Sequence, residues 1–323
     1  MPPSPSPCIL ERVNARPAGS RQQTKNLISP LGVLAGLCVI TGCTVPATGP
    51  ATGSPAGTPA VSPVRVDPAP RPAPPLRCCP PRVTKSRIRT ADGSLVTVAT
   101  FRGPVRYVLH NGSQDPGPGY ARLVRAGPVV GGAERRYLLA AFNGGFLLRA
   151  RAGGYEQEGH VFRALRHGLA SLVIDRSGRA RIGVWRVDVP VPGEAVYSVR
   201  QNLWPLVLAG QPTRQAARWW RWGGTIGHVE YVARSALGQD ASGDLLYAAS
   251  MSATPQDLAV ALARSGARIA MELDINPEWV QLAVARAPGG SLAAAIPGQV
   301  RPAGQYLTGW TRDFIAVLAT PGT

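Results

Sequence analysis

The sequence has no cysteine beyond Cys79, although the 323-residue chain contains five cysteines in total. The part that follows Cys79 therefore has neither thiol catalysis nor internal disulfide bonds. Its four histidines show no metal-ligand clustering, and the His-Glu-x-x-His pair of many zinc enzymes is absent. The sequence also lacks the glycine-rich nucleotide motifs and the Gly-x-Ser-x-Gly elbow. These absences leave zinc, nucleotide-dependent and serine-hydrolase chemistry without support.

Lysine is almost absent too, because Lys25 and Lys85 are the only two. The formal net charge is nevertheless +17, so nearly all of the positive charge is carried by arginine. Such a surface favours anionic partners, which include nucleic acid, anionic lipid headgroups and phosphate-bearing polymers. The export predicted below and the shortage of lysine argue against nucleic acid. Anionic lipid headgroups and phosphate-bearing polymers are the partners that the charge still favours.

The amino-terminal part is typical of an export signal. Basic residues precede a short apolar run over residues 31–40, and the run ends in a segment, Val39-Ile40-Thr41-Gly42-Cys43, that resembles the lipobox of bacterial lipoproteins. The resemblance predicts a signal peptide over residues 1–42 and a lipid on Cys43, at the outer face of the cytoplasmic membrane. A plain secretory signal and an anchor helix are the alternatives, and all three export the remainder. Residues 43–82 are rich in proline, alanine and glycine, which predicts a disordered tether.

Strand patterns dominate residues 83–323. The Asp92-Gly93 pair between alternating runs predicts a hairpin. One clear helix start lies late in the chain, where Thr254 can cap, Pro255 suits the first turn and Asp257 follows the cap by three residues. The pattern predicts a single α+β domain over 83–323, with a mixed, mostly antiparallel sheet and few flanking helices.

The strand predicted after this helix, over residues 267–275, ends in two acidic residues. Positions two apart in a strand share a face, so Glu272 and Asp274 are expected to point the same way. Two carboxylates at the end of a mostly buried strand repel each other, and each is costly to desolvate. A bound cation, an arginine or a reaction would offset that cost. A strand end that dips into solvent is the plain alternative.

A second candidate follows an earlier strand, which runs directly into Asn143-Gly144-Gly145. Glycines allow positive φ and close approach of the backbone, so the amides of this turn can hold an anion or a sugar hydroxyl. An ordinary hairpin turn is the alternative. Further on, Glu158 and His160 are candidate site residues, or else a solvated loop acid and a structural histidine.

Six segments, in this order, resemble the phosphodiester glycosidase family, whose reference domain is the N-acetylglucosamine-1-phosphodiester alpha-N-acetylglucosaminidase. They are Phe142-Asn143-Gly144-Gly145-Phe146, Gly168-Leu169-Ala170-Ser171-Leu172-Val173-Ile174, Val199-Arg200-Gln201-Asn202-Leu203, Arg234-Ser235-Ala236-Leu237-Gly238, Ala270-Met271-Glu272-Leu273-Asp274-Ile275-Asn276 and Arg312-Asp313-Phe314. Many members have Asn-Leu-Asp-Gly-Gly-Gly-Ser where this chain has Glu272-Leu273-Asp274-Ile275-Asn276-Pro277-Glu278. The aspartate is kept and the glycine turn is lost, as in an actinobacterial, lipoprotein-type branch of the family.

The resemblance implies hydrolysis of a sugar-1-phosphodiester in envelope or extracellular glycans. It implies that Asp274 is the nucleophile or base, that Glu272 is its partner and that Arg234 binds the phosphate. The substrate-binding residues that it implies are Asn143, Gly144, Gly145, Glu158, Asn276, Arg312 and Asp313. No cofactor is expected to be required, although the oxygens of Glu272, Asp274 and Asn276 would suit a divalent cation. The rival is a non-catalytic envelope lipoprotein that binds anionic glycans, favoured by the missing glycine turn.

Overall fold

The structure is a computed structural model, and it describes residues 82–223 and 227–320. The predicted signal peptide, the lipidation site at Cys43 and all but the last residue of the predicted tether lie outside the described residues. Within those two ranges, no helix has both the length and the apolar character needed to cross a membrane.

The described part of the chain is built mostly from β-strands. They are β1 (Arg82–Arg89), β2 (Leu95–Arg102), β3 (Val105–His110), β4 (Leu138–Asn143), β5 (Tyr155–Gln157), β6 (His160–Arg163), β7 (Ala170–Ile174), β8 (Ala180–Val184), β9 (Ser198–Gln201), β10 (Pro205–Leu208), β11 (Gln211–Pro212), β12 (Val232–Asp240), β13 (Leu245–Ala253), β14 (Ala267–Glu272), β15 (Leu282–Ala285), β16 (Leu292–Ala294) and β17 (Phe314–Ala319).

Helices are few and mostly a single turn long. The α-helices are α1 (Pro118–Ala121), α2 (Gly132–Arg135) and α3 (Pro255–Arg264), and short 3-10 turns cover Leu148–Ala150, Trp219–Arg221 and Ala303–Leu307. This composition confirms the predicted α+β class, with few helices and mostly antiparallel strands.

The strands divide among three sheets rather than one. Their orders are β1-β2-β13-β12-β14-β10-β11, β16-β15-β4-β17-β3 and β6-β5-β9-β7-β8. Every ladder between these strands is antiparallel, and parallel pairing in the described residues is limited to two isolated bridges. Antiparallel hairpins need only short turns, which suits a chain with many glycine turns and few helices.

All three sheets contribute to one hydrophobic core. Phe101 and Tyr247 come from the seven-stranded sheet, Phe142 from the β4 sheet, and Leu172 from the β9 sheet. Phe101 stacks on Phe142 with ring centroids 5.5 Å apart, and Phe142 lies 5.0 Å from Tyr247. Because the inner faces of the sheets share these contacts, the ends of β4, β9, β14 and β17 are held close together.

Helix α3 covers the outer face of the seven-stranded sheet, and it begins as the sequence predicts. The hydroxyl of Thr254 accepts a hydrogen bond from the Asp257 amide at 3.1 Å, and the Asp257 carboxylate accepts one from the Thr254 amide at 2.9 Å. This reciprocal cap satisfies two helix-end donors. Leu258 and Leu262 pack into the cluster beneath the helix. The cap and the apolar stripe together fix where β14 starts, and thereby where its acidic end lies.

Candidate active site

The acidic end of β14 lies where strands of the three sheets come together. Glu272 is the last residue of β14, and its Oε1 lies 2.8 Å from Nη1 of Arg234 on β12. Both side chains are buried. The Arg234 guanidinium also donates to the carbonyls of Trp222, at 3.0 Å, and of Ala253, at 3.1 Å. Arg234 is therefore held by three protein acceptors on the α3 side of the sheet.

Asp274 lies beyond the end of the strand, and it binds a different arginine. Its Oδ2 lies 3.2 Å from Nη2 of Arg312, while its Oδ1 accepts hydrogen bonds from the amides of Ile275, at 2.7 Å, and Asn276, at 3.1 Å. The strand expected over 267–275 therefore ends at Glu272. Because Asp274 lies outside the strand, the alternation of side chains along a strand does not determine which way Asp274 points. The two acids are nevertheless close enough for the charge of Asp274 to raise the pKa of Glu272.

Arg312 contacts several groups of the site. Its Nη2 donates to the carbonyl of Gly145 at 3.2 Å as well as to Asp274, and its Nε lies 3.7 Å from Oδ2 of Asp115. The Arg312 Cζ lies 4.0 Å from the ring centroid of Trp279, a cation–π contact. Arg312 thus fixes the Asp274 carboxylate in one orientation.

A third buried pair supports the glycine turn. Asp313 Oδ2 lies 2.7 Å from Nε of Arg200, a residue of β9, and both side chains are buried. The amide of Gly144 donates to the Asp313 carbonyl at 2.9 Å, and that of Gly145 faces Oδ2 of Asp313 at 3.4 Å. A Cβ on Gly144 would overlap the Asp313 carboxylate, so only glycine fits this approach. The amides of Gly144 and Gly145, predicted to hold a ligand, therefore face Asp313 in this structure.

Asn143 connects the turn to Asp274 through Ser235. Its Nδ2 donates to the Ser235 hydroxyl at 2.9 Å, and that hydroxyl accepts from the Asp274 amide at 3.1 Å. Its Oδ1 accepts from the Tyr247 hydroxyl at 2.7 Å and from the Gln281 amide at 3.2 Å. Since these contacts engage both amide atoms of Asn143, the side chain orders the site in this structure.

Asp274 opens onto a cavity of about 650 Å³. Aromatic rings of Phe146, Trp204 and Trp279 line its walls, and Asn276 lies beside Asp274. Three exposed arginines are also part of the lining, namely Arg149, Arg151 and Arg166. None of the three forms an ion pair within the described ranges. We refer to Arg149, Arg151 and Arg166 as the arginine rim.

Two residues predicted to bind substrate, Glu158 and Asn276, differ in where the structure places them. Glu158 lines a separate cavity, where its carboxylate accepts hydrogen bonds from the amides of Arg125 and Ala126 at 2.8–3.0 Å. Asn276 does line the Asp274 cavity, but its Oδ1 accepts from the Glu278 amide at 2.9 Å. The structure therefore brings Asp274, Arg312, Asp313 and the glycine turn together, and it places Glu158 elsewhere.

Burial changes the protonation of both strand-end acids. Desolvation raises the pKa of Asp274 to about 6, although Arg312 and two backbone amides oppose the rise. Desolvation likewise raises the pKa of Glu272 to about 7, against the attraction of Arg234 and with the repulsion of Asp274. Burial and the negative charge of Asp313 also raise the pKa of Asp115. Perturbed carboxyl groups beside a cavity are typical of functional sites.

The pKa of Glu272 predicts a pH-dependent effect of Glu272→Gln. The folded pKa lies above the unfolded value of about 4.5, so folding favours the neutral acid, and this advantage is lost as pH rises from 4.5 to about 7. Glutamine mimics the neutral acid at every pH. Relative to the native protein, the variant should therefore be more stable above pH 7 than it is near pH 4.5. Urea unfolding at both pH values measures this difference, and a difference that does not vary with pH would contradict it.

The side-chain oxygens of Glu272, Asp274 and Asn276, which would suit a divalent cation, already contact donors of the protein. Glu272 Oε1 is paired with Arg234 and Asp274 Oδ2 with Arg312, while Asn276 Oδ1 accepts a backbone amide. In the described ranges, no group of three or more His, Cys, Asp or Glu side chains is arranged to hold a metal ion.

Several site residues had no prediction from the sequence. Asp115 lies in a glycine- and proline-rich loop that gives no signal of its own. Trp279 follows Asp274 by five residues, and Arg149 and Arg151 follow the glycine turn within six, so proximity along the chain was the available signal. Arg200 lies within a segment used for the family resemblance but had no assigned role.

Comparisons with known proteins give only distant likenesses. No family model and no curated protein matches the chain. The zebrafish N-acetylglucosamine-1-phosphodiester alpha-N-acetylglucosaminidase catalytic domain, auto-inhibited by its pro-peptide, is 15% identical over 74% of this chain and 83% of its own, with a TM-score of 0.47. A hypothetical protein from Synechocystis is 14% identical over 75% of this chain and 62% of its own, with a TM-score of 0.43. At this level of similarity, neither structure assigns a function to this chain.

Proposed function

We propose that this protein is an exported, lipid-anchored hydrolase that cleaves sugar-1-phosphodiesters in envelope or extracellular glycans. The observation that carries the proposal is Asp274, oriented by Arg312, in the lining of a 650 Å³ cavity that aromatic rings and the arginine rim also line. Aromatic walls suit the faces of a sugar ring, and guanidinium groups that form no ion pair with a carboxylate suit a phosphate.

The chemistry of such a substrate matches what this cavity offers. The bond to be broken joins the anomeric carbon to a phosphate oxygen, and a phosphodiester leaves more readily than an alcohol. The site therefore needs a carboxylate on the anomeric side and cations for the phosphate, and a strong general acid is less necessary. Asp274 is the one carboxylate in the lining of this cavity among the described residues, and we assign it as nucleophile or base.

The arginines divide into two roles in this proposal. Arg234 is buried and donates through Nε and Nη1 to Glu272, Trp222 and Ala253, so we assign it as a positioning residue for Glu272. Arg312 similarly positions the Asp274 carboxylate. The exposed arginine rim is then the part of the cavity that receives the phosphate. This assignment replaces Arg234 as the residue proposed to bind the phosphate.

Hydrolysis of methyl sugar-1-phosphates in ¹⁸O-labelled water tests the proposal. Cleavage at the anomeric carbon should place the label in the released sugar, because water attacks carbon rather than phosphorus. The value of kcat/KM should rise through about pH 6 and level off above it, because Asp274 acts in its ionised form. Label in the phosphate, or no turnover of any sugar in the panel, would contradict the proposed reaction.

A second candidate is a non-catalytic lipoprotein that binds anionic glycans in the same cavity. The observation in its favour is that both oxygens of Asp274 already accept hydrogen bonds, which also suits a purely structural carboxylate. Saturable binding of a teichoic-acid-like polymer without release of sugar would support this candidate over the hydrolase.

A further inference from the structure

A second cavity, of about 550 Å³, shares no lining residue with the Asp274 cavity. Three arginines from separate parts of the chain converge on it. Arg106 comes from β3, Arg125 from the loop between α1 and α2, and Arg176 from the turn between β7 and β8. We refer to Arg106, Arg125 and Arg176 as the arginine triad.

The acidic residues in this cavity have donors of their own. Glu158 accepts hydrogen bonds from the amides of Arg125 and Ala126. The Asp175 carboxylate accepts from the Ser177 amide at 2.8 Å, the Ser177 hydroxyl and the Arg179 amide. Glu134 lies 3.3 Å from Nε2 of the buried His110. These acids are therefore used in holding loops and turns in place.

Through its guanidinium groups, the arginine triad, in contrast, makes no direct contact with a carboxylate in the described part of the chain, although the charge of Arg106 helps to lower the pKa of Glu134. None of its members forms an ion pair there, and Nε of Arg106 is buried without a hydrogen-bond partner. The guanidinium of Arg176 lies over the Tyr197 ring, with Cζ 4.8 Å from the centroid. A guanidinium group with no carboxylate within ion-pair distance can take a bound anion as its direct partner.

Close backbone packing sets the positions of the triad. The Tyr107 amide donates to the Gly178 carbonyl at 2.8 Å, which docks the β7–β8 turn against β3. Gly178 has φ +86°, and a Cβ there would lie 2.6 Å from Cβ of Arg106. The Glu158 carboxylate likewise fastens the loop that carries Arg125. The cavity is thus built by ordered contacts, and its cations are presented on fixed backbone.

We propose that the arginine triad binds a phosphate group, taken either as the free ion or as one unit of a phosphate-bearing glycan. Guanidinium groups match the oxygens of a phosphate by multiple charge-assisted hydrogen bonds. A volume of about 550 Å³ holds such a group together with attached glycerol or sugar. The site goes beyond the hydrolase proposal, because it is separate from Asp274.

Calorimetric titration of the full-length protein with inorganic phosphate and with poly(glycerol phosphate) tests this site. The matched variants are Arg176→Gln, in the cavity, and Arg179→Gln, an exposed arginine of the same turn that is not in its lining. Both remove one charge from a chain of net charge +17, so general attraction to anions changes equally. We expect Arg176→Gln to weaken binding about ten-fold and Arg179→Gln to leave it within about two-fold.

A second matched pair is Arg125→Gln with Arg122→Gln, and thermal unfolding checks that every variant folds. Binding of inorganic phosphate would identify the free ion as sufficient, and binding of the polymer alone would identify a glycan phosphate. Equal weakening within each matched pair, or titrations that never saturate, would overturn the proposal. Turnover of sugar-1-phosphodiesters should be unchanged in Arg176→Gln, so this site and the proposed reaction can fail independently.

Discussion

Asp274→Asn should lower kcat/KM for a sugar-1-phosphodiester by about 10³-fold or more, because it removes the carboxylate that acts on the anomeric carbon. Asparagine has nearly the same shape, and its Oδ1 can still accept the amides of Ile275 and Asn276, which lie 2.7 and 3.1 Å from the native oxygen. The local backbone is thereby preserved while the negative charge is lost. Rates of sugar release at pH 7.5 measure the effect.

The control for this variant is Asp188→Asn, which makes the same change at an exposed turn. It should keep the native rate. Circular dichroism and thermal unfolding must show that Asp274→Asn is folded, since the buried Arg312 loses one of its two carboxylate partners. A folded Asp274→Asn protein that retains a tenth of the native activity would remove Asp274 from the mechanism.

Arg234→Met should destabilise the protein by about 3–5 kcal/mol at pH 8, the range found when one member of a buried ion pair is removed. The Glu272 carboxylate would be left without its cation at zero exposure, and the carbonyls of Trp222 and Ala253 would lose a donor. At pH 5 the loss should be smaller, because Glu272, with a pKa of about 7, is then neutral. Unfolding in guanidinium chloride at the two pH values gives both figures.

Adding Glu272→Gln should restore part of the stability that Arg234→Met loses at pH 8, because the double variant has no buried carboxylate that lacks a partner. Arg268→Met is the matched control, since Arg268 is an exposed residue of β14, the strand that carries Glu272. Its effect should stay within about 0.5 kcal/mol. Strictly additive effects of Arg234→Met and Glu272→Gln would show that the pair is not energetically coupled.

Local features of the fold were predictable because their causes lie within a few residues. The cap of α3 depends on Thr254 and Asp257, three positions apart, and the first hairpin depends on Asp92-Gly93, where Gly93 adopts φ +92°. Both are found where the sequence places them. The division of the strands into three sheets depends on contacts between distant segments, and no local pattern in the sequence encodes it.

The site was predictable in its residue types more than in its pairings. The sequence indicates Asp274, Arg234 and Arg312, and the family resemblance assigns the phosphate to Arg234. In the structure, Nε and Nη1 of Arg234 donate to groups of the protein. The partners Arg200 and Asp313 are separated by more than a hundred residues, and they meet only because the end of β9 lies beside the start of β17. Charge pairing of this kind is a tertiary property.

One short loop contacts both the main chain and the guanidinium group of Arg312. Gly112 lies so close to the Arg312 main chain that a Cβ there would overlap it, and Asp115, three residues later, faces the guanidinium. A movement of Arg312 when a ligand fills the cavity would therefore displace this loop, whose Gln114 is exposed. The fluorescence of a label attached in place of Gln114 would therefore report ligand binding directly, without a measurement of turnover.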